Sequence, residues 1–171
     1  MADAPEIQNG PPAIDQTGNL TVWAVKTIAD INAPKLTEIG AVTSFRITYS
    51  FETGGYSLTT PQEKTTDERL TSKTMRESLG KVTPSLSDLT YVASTSAASA
   101  AVVLKDGGIW YLVDRRGIAQ TAVAAVGDPV RVVRVNLGIQ QPGPADGTGK
   151  WSLVQAAAVE DVTLAPVLVV A

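Results

Sequence analysis

Val, Ile and Thr together supply 48 of the 171 residues, and Gly or Pro stands between the runs they form. Side chains branched at Cβ fit the pleated surface of a strand and lose rotamer freedom in a helix. Short β-rich runs set between turn residues predict an antiparallel β-sandwich or barrel. The clearest alternation is VTSFRITYSF, 42–51. Phe45, Ile47, Tyr49 and Phe51 point one way and Ser44, Arg46, Thr48 and Ser50 the other, which predicts one half-buried strand. ETGGYS then turns the chain, with Gly54 and Gly55 able to take the positive φ of a hairpin.

Further strands are expected at NLTVWAVKTI (19–28), 70–82, 85–93, IWYLVD (109–114), PVRVVRVNLG (129–138), KWSLVQAAAV (150–159) and TLAPVLVVA (163–171). Trp23, Trp110 and Leu112 join Phe45, Ile47, Tyr49 and Phe51 as the expected core. STSAASAAVVLKDGG, 94–108, is expected to hold one short flanking helix, capped by Ser94 or Ser96 and ended by Gly107 and Gly108. In ADINAPKLTEIGA, Pro34, Leu36 and Ile39 suggest a single helical turn. Residues 1–19, with Gly10, Pro11 and Pro12, read as an extended arm, and 20–171 as one domain. The apolar terminal strand, with Pro166 suited to an edge, is expected to be covered by a neighbour or by its own sheet.

The chain has neither histidine nor cysteine. Triads built on imidazole, thiol nucleophiles, disulfides and thiolate or imidazole metal sites are thereby excluded. A net charge of −3 is the wrong sign for gripping phosphates. No apolar run reaches the ~18 residues of a membrane helix. The polar, acidic start carries no secretory pattern, so synthesis in a cytoplasm is expected.

Three segments invite a chemical reading. GPADGTGK, 143–150, resembles a phosphate loop, but Pro144 stands where its first Gly belongs and Trp151 replaces the hydroxyl residue that holds magnesium. DRRG, 114–117, offers two arginines and reads as a solvated strand end. TTDERLTSK, 65–73, places Asp67 and Glu68 side by side, yet on an extended chain they face opposite sides of the sheet. They cannot act as an acid–base pair on one substrate. Asp67 and Arg69 share a face, so a salt bridge or a subunit contact is the expected role. No catalytic residue, metal ligand or cofactor site is expected.

Four stretches in order resemble one family, the major tail tube proteins of long-tailed bacteriophages, particularly of actinobacterial hosts. They are TVWAVKTIADINAPKLTEIGAV, with Trp23, Pro34, Leu36 and Glu38; TTDERLTSK, with Asp67, Arg69 and Leu70; GGIWYLVDRRG; and VGDPVRVVRVNLG. The likeness runs from about 20 to 137. It implies a non-enzymatic virion protein of the tail, with six subunits joined edge to edge in a ring. Stacked rings would form a hollow tube for DNA ejection, bounded by other tail proteins at its ends and touching no membrane. The acidic balance suits a lumen that must let phosphates pass. A capsid decoration or adhesin-like binding module is the alternative in another class. A glycan hydrolase, which needs two carboxyls facing one cleft, is disfavoured by the few aromatics.

Overall fold

The computed structural model describes residues 13–67, 74, 76–144 and 149–171. Its elements in chain order are β1 (Leu20–Val25), α1 (Leu36–Ile39), β2 (Phe45–Arg46), β3 (Leu58–Thr59), β4 (Gln62–Asp67), β5 (Arg76–Val82), β6 (Ser85–Leu86) and β7 (Leu89–Val92). They continue with α2 (Ala100–Val103), β8 (Gly108–Arg116), β9 (Pro129–Pro142), β10 (Ser152–Val162) and β11 (Val167–Leu168).

One antiparallel sheet runs β2-β1-β8-β9-β10-β7. It curls so far that Phe51, just beyond β2, pairs with Tyr91 of β7. The Glu52 amide donates to the Thr90 carbonyl at 3.2 Å and the Thr90 amide to that of Gly55 at 3.0 Å. The two ends of the sheet are thus stitched together, giving the mainly β, barrel-like body that the composition led one to expect. Gly55 is required there, because a Cβ would collide with the Thr90 carbonyl.

The strand period of two sorts side chains onto the two faces. Val22, Ala24, Trp110, Leu112, Val133, Val135 and Leu137 point inward, where Ile47, Leu89, Tyr91 and the α2 residues Ala100 and Ala101 complete the core. Trp23, Val25, Val113, Val130 and Val132 point outward and are covered by Ile28, Ile39 of α1 and Val169. Each such residue, fully buried, contributes roughly 1.5–3 kcal/mol. Having both faces buried is why β1, β8 and the first half of β9 read as nearly continuous apolar runs.

The C-terminal segment is covered by its own sheet. β11 pairs with Pro129 and Val130 of β9, and Val170 exchanges backbone bonds with Pro34 and Leu36 at 3.0 and 2.8 Å. α1 is fixed by Glu38, whose two carboxylate oxygens accept the Ala29 and Lys35 amides at 2.9 Å each. That anchors the turn expected around Pro34.

Two sequence expectations need correction. The strand expected at 42–51 breaks after two residues into a 3₁₀ turn, Thr48–Ser50. The Thr48 hydroxyl takes the place of a ladder partner on β1, accepting the Val22 amide at 2.8 Å. Ile47 stays buried and Phe45 and Phe51 pack against the core. Tyr49, expected beside them, swings outward and is 76% exposed. The helix in 94–108 is a single turn whose N-cap position is Ser99, not Ser94 or Ser96, and which ends at Leu104, before Gly107 and Gly108. The Ala100 amide donates to the Ser50 hydroxyl at 3.0 Å. The Ser99 amide and hydroxyl bond back to the Ser96 carbonyl at 3.0 and 2.7 Å, which holds the preceding residues in a turn.

The expected arm, 1–19, has its first twelve residues outside the described part. Residues 13–19 precede β1 without strand structure and turn at Gly18.

Candidate functional site

β4 and β5 form a two-stranded sheet separate from the barrel. Its register sets Lys64 opposite Leu79, Thr66 opposite Glu77 and Asp67 opposite Arg76. All of its described residues are exposed or half-exposed. The bonds that hold it are its own: Lys64 Nζ lies 3.3 Å from Glu77 Oε2, Gln62 Nε2 donates to the Gly80 carbonyl at 3.1 Å, and Ser78 Oγ to that of Thr65 at 3.3 Å. A lone two-stranded hairpin is only marginally stable in water. This one grows from a root pair, β3 and β6, in which Leu58 and Leu86 are opposed and buried.

Asp67 therefore lies at the outer end of β4, across from Arg76. Arg69, its expected companion, is outside the described residues, as is Glu68.

Beneath the root lies an ionic cluster. Asp114, 1% exposed, accepts two hydrogen bonds from Arg116 on Oδ2, at 2.7 and 3.1 Å, and a longer one from the Tyr56 hydroxyl at 3.4 Å. Burial, and then the Asp114 carboxylate, push the Tyr56 pKa well above its ordinary value, so it stays a neutral donor. Tyr56, Arg116, Ile14, Asp15, Leu20 and Leu58 line a cleft of about 430 Å³ at this point.

The DRRG reading is overturned for its first arginine. Arg115 is 0% exposed. Its guanidinium donates to Asp128 Oδ2 at 2.6 Å and to the carbonyls of Ala122, Val123 and Ala119 at 2.7, 3.2 and 3.4 Å. The Trp23 ring lies 5.2 Å below it. One side chain thereby holds the loop between β8 and β9. The missed signal was available: a strand buried on both faces puts residues of both parities inside.

A second network also escaped the sequence reading. Gln155 accepts from the Tyr91 hydroxyl at 2.8 Å and donates to the Leu104 and Gly138 carbonyls at 3.0 and 2.7 Å. Gln140 donates to Tyr91 at 2.7 Å and to the Ala101 carbonyl at 3.0 Å. Burial moves the Tyr91 pKa to about 12, against the smaller opposing effect of the Gln140 bond. These groups join α2 to the sheet.

Among the described residues no cluster of three or more acidic side chains is placed to hold a metal, and no helix is long and apolar enough to cross a membrane. Among the described residues, a curled antiparallel, barrel-like sheet with two one-turn helices and a separate two-stranded hairpin defines a mainly β protein. A family model described as phage tail tube protein matches residues 7–171, and the chain belongs to that family of structural tail subunits. No curated protein matches it.

Proposed function

We propose that this protein is the tail tube subunit of a long-tailed phage of the actinobacterial-host group. In this reading six copies close into a ring and rings stack into a hollow conduit through which DNA is ejected. The subunit is made in the host cytoplasm, ends in the virion tail, meets other tail proteins at the tube ends and performs no catalysis. The observation that carries the reading is the β4–β5 hairpin. It exposes its faces and pairs with no other strand of the chain among the described residues, whereas the barrel edges are stitched to each other. A neighbouring subunit that covers the hairpin removes exposed strand edges that otherwise invite aggregation. Edge-to-edge joining of subunits is then a task for the hairpin, with Asp67 near the outer end of β4 a candidate contact and Arg69, outside the described residues, a second by sequence alone. The arm, 1–19, and the 52–66 stretch are the candidates for ring-to-ring contact.

Electron microscopy of the purified protein, with sedimentation alongside, is the test. Stacked rings or tubes are expected. Small discrete species that never polymerise would instead support a decoration or adhesin-like module and sink the tube.

A further inference from the structure

Among the described residues of the hairpin, Leu79 is the large apolar side chain left strongly exposed, at 70%. The register places Lys64 directly across from it and Glu77 on the same face. The hairpin thus presents an apolar knob beside an exposed ion pair, Lys64 with Glu77 at 3.3 Å, whose two charges are within reach of a partner. The cleft at the hairpin root offers the complement. Its apolar lining is Ile14, Leu20 and Leu58, and its charged residues are Asp15 and Arg116, the latter half-exposed while paired with Asp114.

Three other clefts lack this pairing of signs. The one between Trp23, Leu36 and Ile39 has Arg46 as its only charge. The one beside Phe51 has Glu52 alone. The shallow one along Ala156–Ala158 has none.

From this charge complementarity we propose that Leu79 of one copy seats in the root cleft of a second copy, with Lys64 toward Asp15 and Glu77 toward Arg116. Apolar burial supplies the affinity, and the charges fix register and reject wrong seatings. Leu79 lies three residues from the hairpin base at Val82, roughly 10 Å out along an extended strand. Because the cleft lies at the root, each hairpin leads away from its own cleft and toward that of the next copy. A contact of this kind is head-to-tail, so one repeated interface generates a ring or a column. The inference rests on the tube reading and adds to it the residues of one interface.

The absence of native cysteine makes disulfide mapping the direct experiment. In the full-length chain, Ile14→Cys with Leu79→Cys, oxidised after assembly, is expected to give a ladder of covalent oligomers in denaturing gels. Either single variant is expected to stop at dimers. Leu79→Asp is expected to raise the concentration needed for assembly roughly ten-fold or more. Asp15→Lys or Lys64→Glu alone is expected to weaken assembly, and the two together to restore it. Wild-type protein that stays monomeric overturns the tube and this contact together. Wild-type tubes whose double-cysteine counterpart also assembles, yet yields no ladder or only an intramolecular bridge, overturn this contact and leave the tube standing. Should the double-cysteine variant fail to assemble, the charge reversal decides, and failure of the paired reversal to restore assembly overturns the contact.

Discussion

The Arg115 guanidinium and the Asp128 carboxylate meet at 2.6 Å with the arginine side chain wholly out of water. Three carbonyls of the 119–123 stretch fill most of its remaining donors, and the Ala125 amide donates to the same carboxylate at 3.1 Å. The loop between β8 and β9 has no core of its own: Val123 and Val126 are exposed. Its ends are tied by the Gln120 amide to the Gly18 carbonyl and the Gly127 amide to the Val169 carbonyl, and this cation gathers the stretch between them. Arg115→Ala strands a carboxylate and several carbonyls, and is expected to cost about 3–5 kcal/mol. Chemical denaturation measures that loss, and amide exchange in 119–128 should quicken well before global unfolding. Unchanged exchange there would show that the loop is held by something else.

Ile47 and Tyr49 separate the strand expected from the sequence from the turn that forms. Ile47→Ala should cost about 2–5 kcal/mol, as deletion of a buried side chain does. Tyr49→Ser should stay within about 0.5 kcal/mol, as surface changes do. A large loss at Tyr49 in the monomer would restore the alternating strand.

The same pair shows what could be read from the chain and what could not. Alternation at 42–51 is real, and it placed Phe45, Ile47 and Phe51 on one side. It could not reveal that the Thr48 hydroxyl would compete with the backbone for β1, because the competing amide belongs to Val22, 26 residues away. Arg115 was missed for a related reason. Local charge suggests solvent, and only the burial of β8 on both faces turns the side chain inward, where four oxygens 4 to 13 residues along the chain close around it. The turn at Pro34, the glycine turn at Gly54 and the apolar runs were legible because the forces behind them act within a few residues. Of the candidate site, TTDERLTSK marked the hairpin, but Leu79 and the root cleft depend on register and on Tyr56 packing over Asp114.

Tyr91 and Gln155 give a polar core whose worth can be measured. Tyr91→Phe removes the hydroxyl that joins Gln155 to Gln140. It leaves the buried Gln155 oxygen without its donor, at a cost of about 1–3 kcal/mol. The double change Tyr91→Phe with Gln155→Leu should cost less than the sum of the two single changes. Additivity in that cycle would mean the two groups do not act together.

Alkaline pH tests the same tyrosine through its proton. The folded Tyr91 pKa is raised from 10.0 to about 12, so the native state keeps a proton that the unfolded chain has already released. Stability from this group is fully present below pH 10 and declines as pH rises from there toward 12. Tyr56, also raised, acts in the same direction. Urea midpoints followed from pH 8 to 12 should stay level and then fall, and Tyr91→Phe should flatten part of the fall. A decline that begins near neutrality, or one untouched by Tyr91→Phe, would contradict the assignment.

Excision of the hairpin separates folding from assembly. The Thr83 amide donates to the Pro61 carbonyl at 3.0 Å, so the chain enters and leaves the hairpin at adjacent points. Residues 62–82 can therefore be replaced by a two-residue glycine turn without stretching the root. The strands removed bury little against the barrel, while Leu58 and Leu86 remain paired beneath them. The shortened chain is expected to fold with a stability within about 1 kcal/mol of the original and to sediment as a monomer at concentrations where the intact protein forms tubes. Loss of folding would mean that the hairpin is part of the core after all. Tubes formed without it would move the subunit contacts to the barrel faces, and the exposed Val123, Val126 and Leu168 would be the first positions to mutate.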